Sequence, residues 1–446
     1  MPPATHSRDP DADAATACQR CPPPEPPRRV VRHAALRHQA MRAMSGVKSR
    51  SQARPALWPR GDDPHEATLA SSLSPRRRIA AREGIAIEIN GRVLRDFSSA
   101  DSLGLAQHPA VVAALQEAAA WRGVGAGATP QSGAAFAEHH ALEQAVAQWQ
   151  GYPRALAFGS AYLANLAVMQ ALLREGDLCV QDHLNHASLA DAARLAGAQL
   201  RHYPHALPDG ALKLLQDSPA TAALLASDGV FAMDGDLAPL KLLAMLARAE
   251  NATLHVSDAH GVGVVGPEGR GSVAHAGLGV REVPLQLLAL DTALGASGAV
   301  LVGPDALLEA IAQRASTCLH ATLMPPALAA AALRALEISR AESWRRFKLA
   351  ALVARFRRGA QQLGLPMVDS TTPIQPILVG ANAAAVAAAR VLEQAGFRVD
   401  AMRPPTAPDG RARLRVLLSA LHEDADIDAL LEALARVLRA AAVINA

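Results

Sequence analysis

Residues 253–261 read TLHVSDAHG, and this stretch decides the class of fold. It opens with a short run that is mostly apolar, continues with a serine, an acid and a histidine, and closes on a glycine. A run of this length, bounded by polar residues and glycine, is typical of a buried strand in a parallel sheet. Polar groups that follow such a strand lie at its carboxyl end, where open parallel sheets bind their ligands. The stretch therefore predicts one strand and one edge of a functional site.

Comparable apolar runs recur along the chain and define the predicted sheet. The predicted strands are Ala155–Phe158, Leu178–Val180, Ala222–Ala226, Thr253–Val256, Leu285–Leu290 and Ala299–Val302. Segments with helical periodicity lie between them, at Leu163–Leu173, Leu189–Leu195 and Pro239–Glu250. Strands that alternate with helices are typical of an α/β fold, in which a mostly parallel sheet is covered on both faces.

The pattern changes beyond Met324. A long helical stretch, Ala327–Leu363, is followed by two or three short strands and by a C-terminal helix at Ile427–Ala441. Helices and strands that are segregated in this way are typical of an α+β arrangement. We therefore predict a second, smaller domain after the parallel sheet.

Polar residues follow four of the predicted strands. They are Asp182, Asn185 and His186 after the second strand, Ser227 and Asp228 after the third, Ser257, Asp258 and His260 after the fourth, and Asp291 and Thr292 after the fifth. Because the carboxyl ends of parallel strands meet at one edge of a sheet, we expect these side chains to lie close together. Two histidines beside several acids indicate a binding or catalytic site there.

Composition excludes several classes of protein. The chain has 446 residues, 50% of them apolar, which is enough for a sizeable core. No apolar run is long enough for a membrane span. With 3% aromatic residues and a net charge of +3, the chain has no basic surface interleaved with aromatic groups, and we expect no nucleic-acid partner. Four cysteines do not make a disulfide framework, which favours the cytoplasm, and no metal site is predicted.

Residues 1–65 form a distinct segment. They are rich in proline and arginine and have no sustained apolar period, so we predict a disordered leader. Met41 or Met44 is an equally good start, which leaves open whether residues 1–40 are translated. Cys18 and Cys21 form a lone C-x-x-C pair, for which chance spacing is the better explanation.

Short motifs spread over residues 68–438 carry a family resemblance. They read FSSADSLGL at 97–105, NHASL at 185–189, DGVFAMDGD at 228–236, DAHGVG at 258–263, LGASGA at 294–299, IQP at 374–376 and RPPT at 403–406. In this order they resemble the α-oxoamine synthases. The resemblance implies an aspartate aminotransferase-like fold of the type I pyridoxal-phosphate class, with a seven-stranded sheet. It also implies a reaction that joins an acyl thioester to an amino acid, here L-alanine, on pyridoxal phosphate.

The resemblance implies how the chain is divided and how it assembles. Residues 66–109 join the small domain, residues 110–325 form the large cofactor domain, and residues 331–446 form the small domain. The family builds each active site from two chains, so we expect a homodimer, or a heterodimer with an active homologue. Thr322 matches a phosphate contact that crosses this interface.

At the position of the family's Schiff-base lysine, this chain carries Thr292. The family stretch T-x-G-K-x-x-G corresponds to ALDTALG at 289–295, and a hydroxyl forms no imine. The family's acid at the pyridinium nitrogen is replaced by Ser257, and the following Asp258 faces the opposite side of the strand. The lysines of the chain are Lys48, Lys213, Lys241 and Lys348, and none follows a predicted strand. No catalytic residue is therefore predicted at the lysine position.

The other site residues are carried over position by position. For the cofactor they are Ala161, Tyr162, His186, Ala232, Asp258, His260, Ala289 and Thr322, and for the substrate Arg76, His186, Thr406 and Arg415. His186 matches the histidine that stacks on the cofactor ring, and His260 matches one that hydrogen-bonds the 3-hydroxyl. Arg415 matches the arginine that binds the amino-acid carboxylate, and Arg76 one near the acyl group. Because alanine replaces polar family contacts at 161, 232 and 289, non-covalent binding of pyridoxal phosphate is weakened as well.

Three functions follow from these observations. The first is a working C-acyltransferase, the second a non-catalytic homologue that acts as a binding subunit of an active sister chain, and the third a binding module for acyl-carrier protein. Thr292 and Ser257 favour lost or strongly reduced activity.

Overall fold

A computed structural model describes residues 77–132, 135–220, 222–404 and 406–444. The predicted leader, Lys48, Arg76 and the Cys18–Cys21 pair lie outside the described residues. The strands are β1 Ile79–Glu83, β2 Ala86–Ile89, β3 Arg92–Asp96, β4 Arg154–Phe158, β5 Leu178–Asp182, β6 Gln199–Tyr203, β7 Ala223–Asp228, β8 Thr253–Ser257, β9 Leu285–Ala289, β10 Ala299–Gly303, β11 Ile374–Gly380, β12 Phe397–Arg398, β13 Asp400–Met402 and β14 Ala412–Leu417. The α-helices are α1 Pro109–Arg122, α2 Ala137–Gln150, α3 Ala161–Leu172, α4 Ala187–Leu195, α5 Pro208–Gln216, α6 Leu240–Ala249, α7 Ser272–His275, α8 Asp305–Arg314, α9 Ser316–Leu319, α10 Pro326–Ala341, α11 Trp344–Gln362, α12 Asn382–Gln394 and α13 Asp424–Ile444.

A seven-stranded sheet organises the larger part of the fold, in the order β4-β10-β9-β8-β7-β5-β6. β10 is antiparallel to β4 and β9, and the remaining neighbours are parallel. β5, β9 and β10 consist of buried residues only, because apolar clusters pack on both faces of the sheet. The predicted α/β class with a mostly parallel sheet is confirmed.

The observed strands lie where the apolar runs predict them, with ends that differ by one or two residues. β8 includes Ser257, and Asp228 is the last residue of β7. β6 has no counterpart in the sequence prediction. It is the edge strand of the sheet, and three of its five residues are exposed. An edge strand of this kind lacks the continuous apolar run that marks a buried strand.

Two smaller sheets complete the fold. β1, β2 and β3 form an antiparallel meander, and β3 pairs in parallel with β12. β11, β14 and β13 form the other sheet, on which α12 packs. These elements form a smaller α+β part, as predicted, and the pairing of β3 with β12 joins the N-terminal strands to it.

Residues 327–363 are helical, as predicted, and they form two helices, α10 and α11. The break falls at Glu342, whose φ of −95° and ψ of 61° are not helical. The Glu342 carboxylate accepts a hydrogen bond from Arg345 Nε at 2.7 Å, and Arg345 Nη1 donates to the Leu103 carbonyl at 3.0 Å. One local and one long-range contact of the buried Arg345 thus accompany a break at which the sequence has no glycine or proline.

Among the helices of the described ranges, none is both long enough and apolar enough to cross a bilayer.

Candidate functional site

The carboxyl ends of β5, β7, β8 and β9 bring the predicted polar groups together. Asn185 Nδ2 donates to the Ala226 carbonyl, and Asn185 Oδ1 accepts from the Asp228 amide, each at 2.9 Å. The next amide, that of His186, donates to Asp228 Oδ2 at 2.8 Å. His186 is also the N-cap of α4. These bonds hold the loop after β5 against the end of β7. They thereby fix the backbone position from which the His186 side chain extends.

Two imidazoles and a guanidinium form the centre of the site: His186, His260 and Arg415. Burial is the main cause that lowers the pKa of His260 to about 4, and the positive charge of Arg415 acts in the same direction. Burial also lowers the pKa of His186, against the opposing effect of Asp191 and Asp291. Both rings are therefore neutral near pH 7, beside a permanent cation.

Two contacts hold the Arg415 side chain at this centre. Its Nη1 donates to the Ala232 carbonyl at 3.2 Å, and its Nη2 lies 3.8 Å from Asp400 Oδ2. Nε is buried and has no hydrogen-bond partner among the described residues. A guanidinium with an unpaired N–H beside two neutral imidazoles is suited to a ligand in which an anionic group is attached to a planar ring.

A helix N-terminus adjoins the predicted phosphate contacts. Ser160 caps α3, and its hydroxyl accepts from the Leu163 amide at 3.3 Å. Ala161 and Tyr162 are the first two residues of α3, so their amides have no partner within the helix. Tyr162 is 39% exposed, and its hydroxyl donates to Asp191 Oδ2 at 2.5 Å. The start of α3 thus presents free backbone donors of the kind that bind phosphate.

Thr292 occupies a well-formed turn. The turn is closed by the Leu290 amide, which donates to the Gly298 carbonyl at 3.0 Å. The Thr292 side chain is 8% exposed, and its hydroxyl donates to the Ala259 carbonyl at 2.6 Å. Of the lysines in the described ranges, Lys213 and Lys241 are exposed on helices, and Lys348 pairs with Glu423 at 2.6 Å. None of these three amines reaches the site.

Asp258 is turned away from the two histidines. Its Oδ2 accepts from the Ser272 amide at 2.6 Å and from Gln286 Nε2 at 3.2 Å. A Cβ added at Gly261 or Gly271 would lie 2.2 Å from one of its carboxylate oxygens, so glycine backbone surrounds the group. Burial raises the pKa of Asp258 to about 6. As strand alternation predicts, this acid is engaged on the far side of the strand from Ser257.

A different acid lies beside Ser257. Asp228 is its paired residue on the neighbouring strand β7, so the two side chains lie on the same face of the sheet. Burial is the main cause that raises the pKa of Asp228 to about 7. Sequence reasoning identified Asp228 as a polar residue at this edge without assigning it a role. Only the strand register shows that it lies beside Ser257.

The other predicted site residues lie at different depths. Ala289 is buried at the end of β9, and Ala232 is partly buried below Arg415. Thr322 and Thr406 are exposed, outside the cluster of two histidines and one arginine. Whether these residues contact cofactor, substrate or a second chain stays a prediction.

Sequence reasoning missed a histidine bridge that supports the same edge. His205 Nδ1 lies 3.0 Å from Asp182 Oδ1, and His205 Nε2 lies 3.0 Å from Asp236 Oδ2. Although burial opposes it, these two carboxylates raise the pKa of His205 to about 9. The bridge joins the end of β5 to the loop after β7. An isolated histidine in a loop gives no signal of such a contact in the sequence.

This bridge predicts a pH dependence of stability. A histidine whose pKa is raised on folding stabilises the protein fully below its ordinary pKa of about 6.5, and that contribution is lost as pH rises toward about 9. We expect His205→Asn to lower the free energy of unfolding at pH 6 by about 1–3 kcal/mol and much less at pH 9.5. Denaturant unfolding at several pH values measures this. His140→Asn, at an exposed histidine, is the control and should leave the pH dependence unchanged; equal losses at both pH values would contradict the prediction.

Comparison with known proteins assigns the chain to a protein family. Residues 93–434 match the family model described as aminotransferase class I and II. The match covers most of the chain, and the chain belongs to this family.

Similar proteins narrow the assignment within that class. An 8-amino-7-oxononanoate synthase of Stenotrophomonas maltophilia (strain R551-3) is 55% identical over 361 residues, which make up 81% of this chain and 88% of that protein. One of Xanthomonas campestris pv. campestris (strain B100) is 52% identical over 86% of this chain and 96% of its own length. Within the class I and II aminotransferases, the chain is thus a member of the 8-amino-7-oxononanoate synthase group.

Solved structures agree with this assignment. A serine palmitoyltransferase of Sphingomonas wittichii superposes with a TM-score of 0.80 at 27% identity, over 85% of this chain and 96% of that one. An 8-amino-7-oxononanoate synthase of Francisella tularensis superposes with a TM-score of 0.69 at 26% identity, over 78% of this chain and 98% of that one. The aspartate aminotransferase-like fold implied by the sequence motifs is therefore confirmed.

Proposed function

We propose that this protein is a non-catalytic relative of the 8-amino-7-oxononanoate synthases, which keeps an anion-binding centre and has lost the covalent hold on pyridoxal phosphate. The reaction of the family, implied by the resemblance, condenses a pimeloyl thioester with L-alanine in biotin biosynthesis. In this chain we expect that reaction to be absent or strongly reduced.

Thr292 is the observation that carries the proposal. A Schiff base requires a primary amine, and the position that the family gives to lysine holds a hydroxyl already bonded to the Ala259 carbonyl. The amines of Lys213, Lys241 and Lys348 lie on helices away from this turn. No lysine of the described ranges takes over the role of the missing one.

The residues do not fit pyridoxal phosphate as a covalently held, activated cofactor. They retain parts that suit its phosphate and ring as a reversible ligand, namely the amides at the start of α3, the ring of His186 and the guanidinium of Arg415. They lack the amine and the carboxylate that directly faces the ring nitrogen. We therefore derive no reaction step through the cofactor.

Loss of the lysine weighs more in this proposal than loss of the acid at 257. Asp228 is paired with Ser257 across neighbouring strands and lies on the same face of the sheet, so an acid remains next to the position that the resemblance assigns to the pyridinium partner. The hydrogen-bond partner of Thr292 is a backbone carbonyl, which cannot replace the missing amine.

The retained centre supports a role as a binding subunit. Its partly buried arginine and two neutral histidines would bind the carboxylate of an amino acid or the phosphate of a nucleotide-linked thioester without converting it. We propose that the chain pairs in the cytoplasm with a second copy or with a lysine-bearing homologue, through an interface that includes the exposed Thr322. Sedimentation at micromolar concentration tests the assembly, and a stable monomer in the presence of such a homologue would exclude it.

Spectroscopy of the purified chain tests the proposal as a whole. With one equivalent of pyridoxal phosphate and removal of the unbound aldehyde, we expect no visible Schiff-base band and, in peptide maps after borohydride reduction, no cofactor fixed within the site. We also expect no oxoamine product from alanine and an acyl thioester. Labelling of the exposed Lys213 or Lys241 does not bear on the site. A cofactor fixed by borohydride within the site, or turnover at the rate of a lysine-bearing homologue assayed in parallel, would overturn the proposal.

A further inference from the structure

A line of buried hydrogen bonds runs from the interior of the sheet to the ring of His186. His255, in the middle of β8, places its Nε2 2.9 Å from Asn165 Oδ1 on α3. Asn165 Nδ2 donates to Ser188 Oγ on α4 at 2.9 Å. Ser188 Oγ lies 2.8 Å from His186 Nδ1. Three elements distant in sequence thus converge on one nitrogen of the ring.

The direction of each bond follows from the donors available. The amide of Asn165 donates to Ser188 Oγ, so the serine hydrogen is free to be donated to His186 Nδ1. The Ser188 backbone amide also points at Nδ1, at 3.3 Å. Two donors directed at one nitrogen require that this nitrogen carries no hydrogen. His186 must then carry its proton on Nε2.

The Ser188 end of the line determines the orientation of the Asn165 amide. His255 is fully buried, and burial lowers its pKa to about 4, so it is a neutral ring. A neutral imidazole can donate or accept at Nε2, so the contact of His255 with Asn165 is compatible with either orientation of the amide. A reversed Asn165 amide would force His186 Nδ1–H against the Ser188 amide, which points at the same nitrogen. The Asn165 amide therefore donates to Ser188, and His255 donates from Nε2 to Asn165 Oδ1.

We propose that Asn165 and Ser188, in a line of hydrogen bonds that continues to His255, are positioning residues that lock His186 into the neutral tautomer with hydrogen on Nε2. The lock presents an uncharged ring face and one N–H donor to whatever ligand the site takes. The inference concerns His186 itself and does not depend on whether the proposed loss of catalysis is correct.

Charged groups around His186 come from several elements. Asp191 on α4 and Asp291 after β9 favour the protonated ring, and His260 is close enough to interact electrostatically with it. The Asp228 carboxylate binds the His186 amide and not its ring. Against the two acids, the donors at Nδ1 stabilise the neutral ring, because protonation of Nδ1 would break the bond from Ser188.

Nuclear magnetic resonance of the ligand-free protein, with nitrogen-15 in its histidines, tests the lock. Two-bond proton–nitrogen spectra report the tautomer, and His186→Gln assigns the signal. We expect the unmodified protein to show the Nε2–H tautomer. In Ser188→Ala we expect the ratio of Nε2–H to Nδ1–H to fall about 2- to 10-fold and the pKa of His186 to rise by about 0.5–1, since one hydrogen bond to the neutral ring is lost.

Asn165→Leu gives a second test through a residue that does not touch His186. It removes the donor that orients the Ser188 hydroxyl, and we expect the same drift in tautomer as in Ser188→Ala. Thr317→Ala is the matched control, because it removes a hydroxyl that donates to the Leu163 carbonyl on the same helix α3 at 3.2 Å. It should leave the His186 signal unchanged. If the unmodified protein shows Nδ1–H, or if folded Ser188→Ala keeps the original tautomer and pKa, the lock does not exist.

Discussion

Replacing Thr292 by lysine should convert a chain that retains no pyridoxal phosphate after borohydride treatment into one that is labelled near stoichiometrically. The turn that carries residue 292 is intact, with the Leu290 amide bonded to the Gly298 carbonyl. The Thr292 hydroxyl touches the carbonyl of Ala259, the neighbour of His260. A lysine stem starting there leads toward the two histidines, and its amine supplies the missing Schiff-base group.

Thr292→Met is the control for this experiment, because it has similar bulk and no amine. It should retain no cofactor. Absorbance, borohydride reduction and intact mass measure the labelling directly, without any need for turnover. If Thr292→Lys captures no cofactor even at large excess, the alanines at 161, 232 and 289 have abolished the pocket. The retained centre would then serve a ligand other than pyridoxal phosphate.

Arg413→Ala should lower the free energy of unfolding by about 3–5 kcal/mol. Arg413 lies on β14 with no solvent exposure and pairs with Asp234 in the loop after β7. The neighbouring Gly235 carbonyl accepts hydrogen bonds from Ser370 and Thr372 at 2.9 and 2.8 Å. Removing the guanidinium leaves the buried Asp234 carboxylate without its counterion, and the loop loses an anchor to the smaller sheet. Denaturant unfolding measures the loss.

Two further variants distinguish the effect of breaking the buried Arg413–Asp234 pair from the effect of removing any arginine. Arg355→Ala breaks a surface pair with Asp424 and Asp428 and should lower the free energy of unfolding by no more than about 1 kcal/mol. Arg413→Met combined with Asp234→Leu removes both charges and should recover most of the stability lost in Arg413→Ala, because no buried charge is left unpaired. A loss in Arg413→Ala no larger than that in Arg355→Ala would contradict the prediction.

Most strands and helices of the large sheet, in their succession along the chain, could be predicted from the sequence. Buried parallel strands such as β5 and β9 are continuous apolar runs, and such runs are local properties of the chain. The edge strand β6 and the break at Glu342 were not predictable in this way. The first is half exposed, and the second accompanies contacts of Arg345 with the distant Leu103 carbonyl.

The candidate site was likewise predictable only in part. The sequence by itself determined that no amine stands at 292, that Ser257 stands where the family has an acid and that His186 and His260 each follow a strand of the parallel sheet, because each is a matter of residue identity and position along the chain. Only the tertiary structure decided that Asp228 pairs with Ser257, that the Asp258 carboxylate is bound by the Ser272 amide, and that His255, Asn165 and Ser188 form a line of hydrogen bonds to the His186 ring. The partners in those contacts come from different strands and helices, and hydrogen bonds between them depend on register and side-chain direction, which no local pattern of apolar and polar residues encodes.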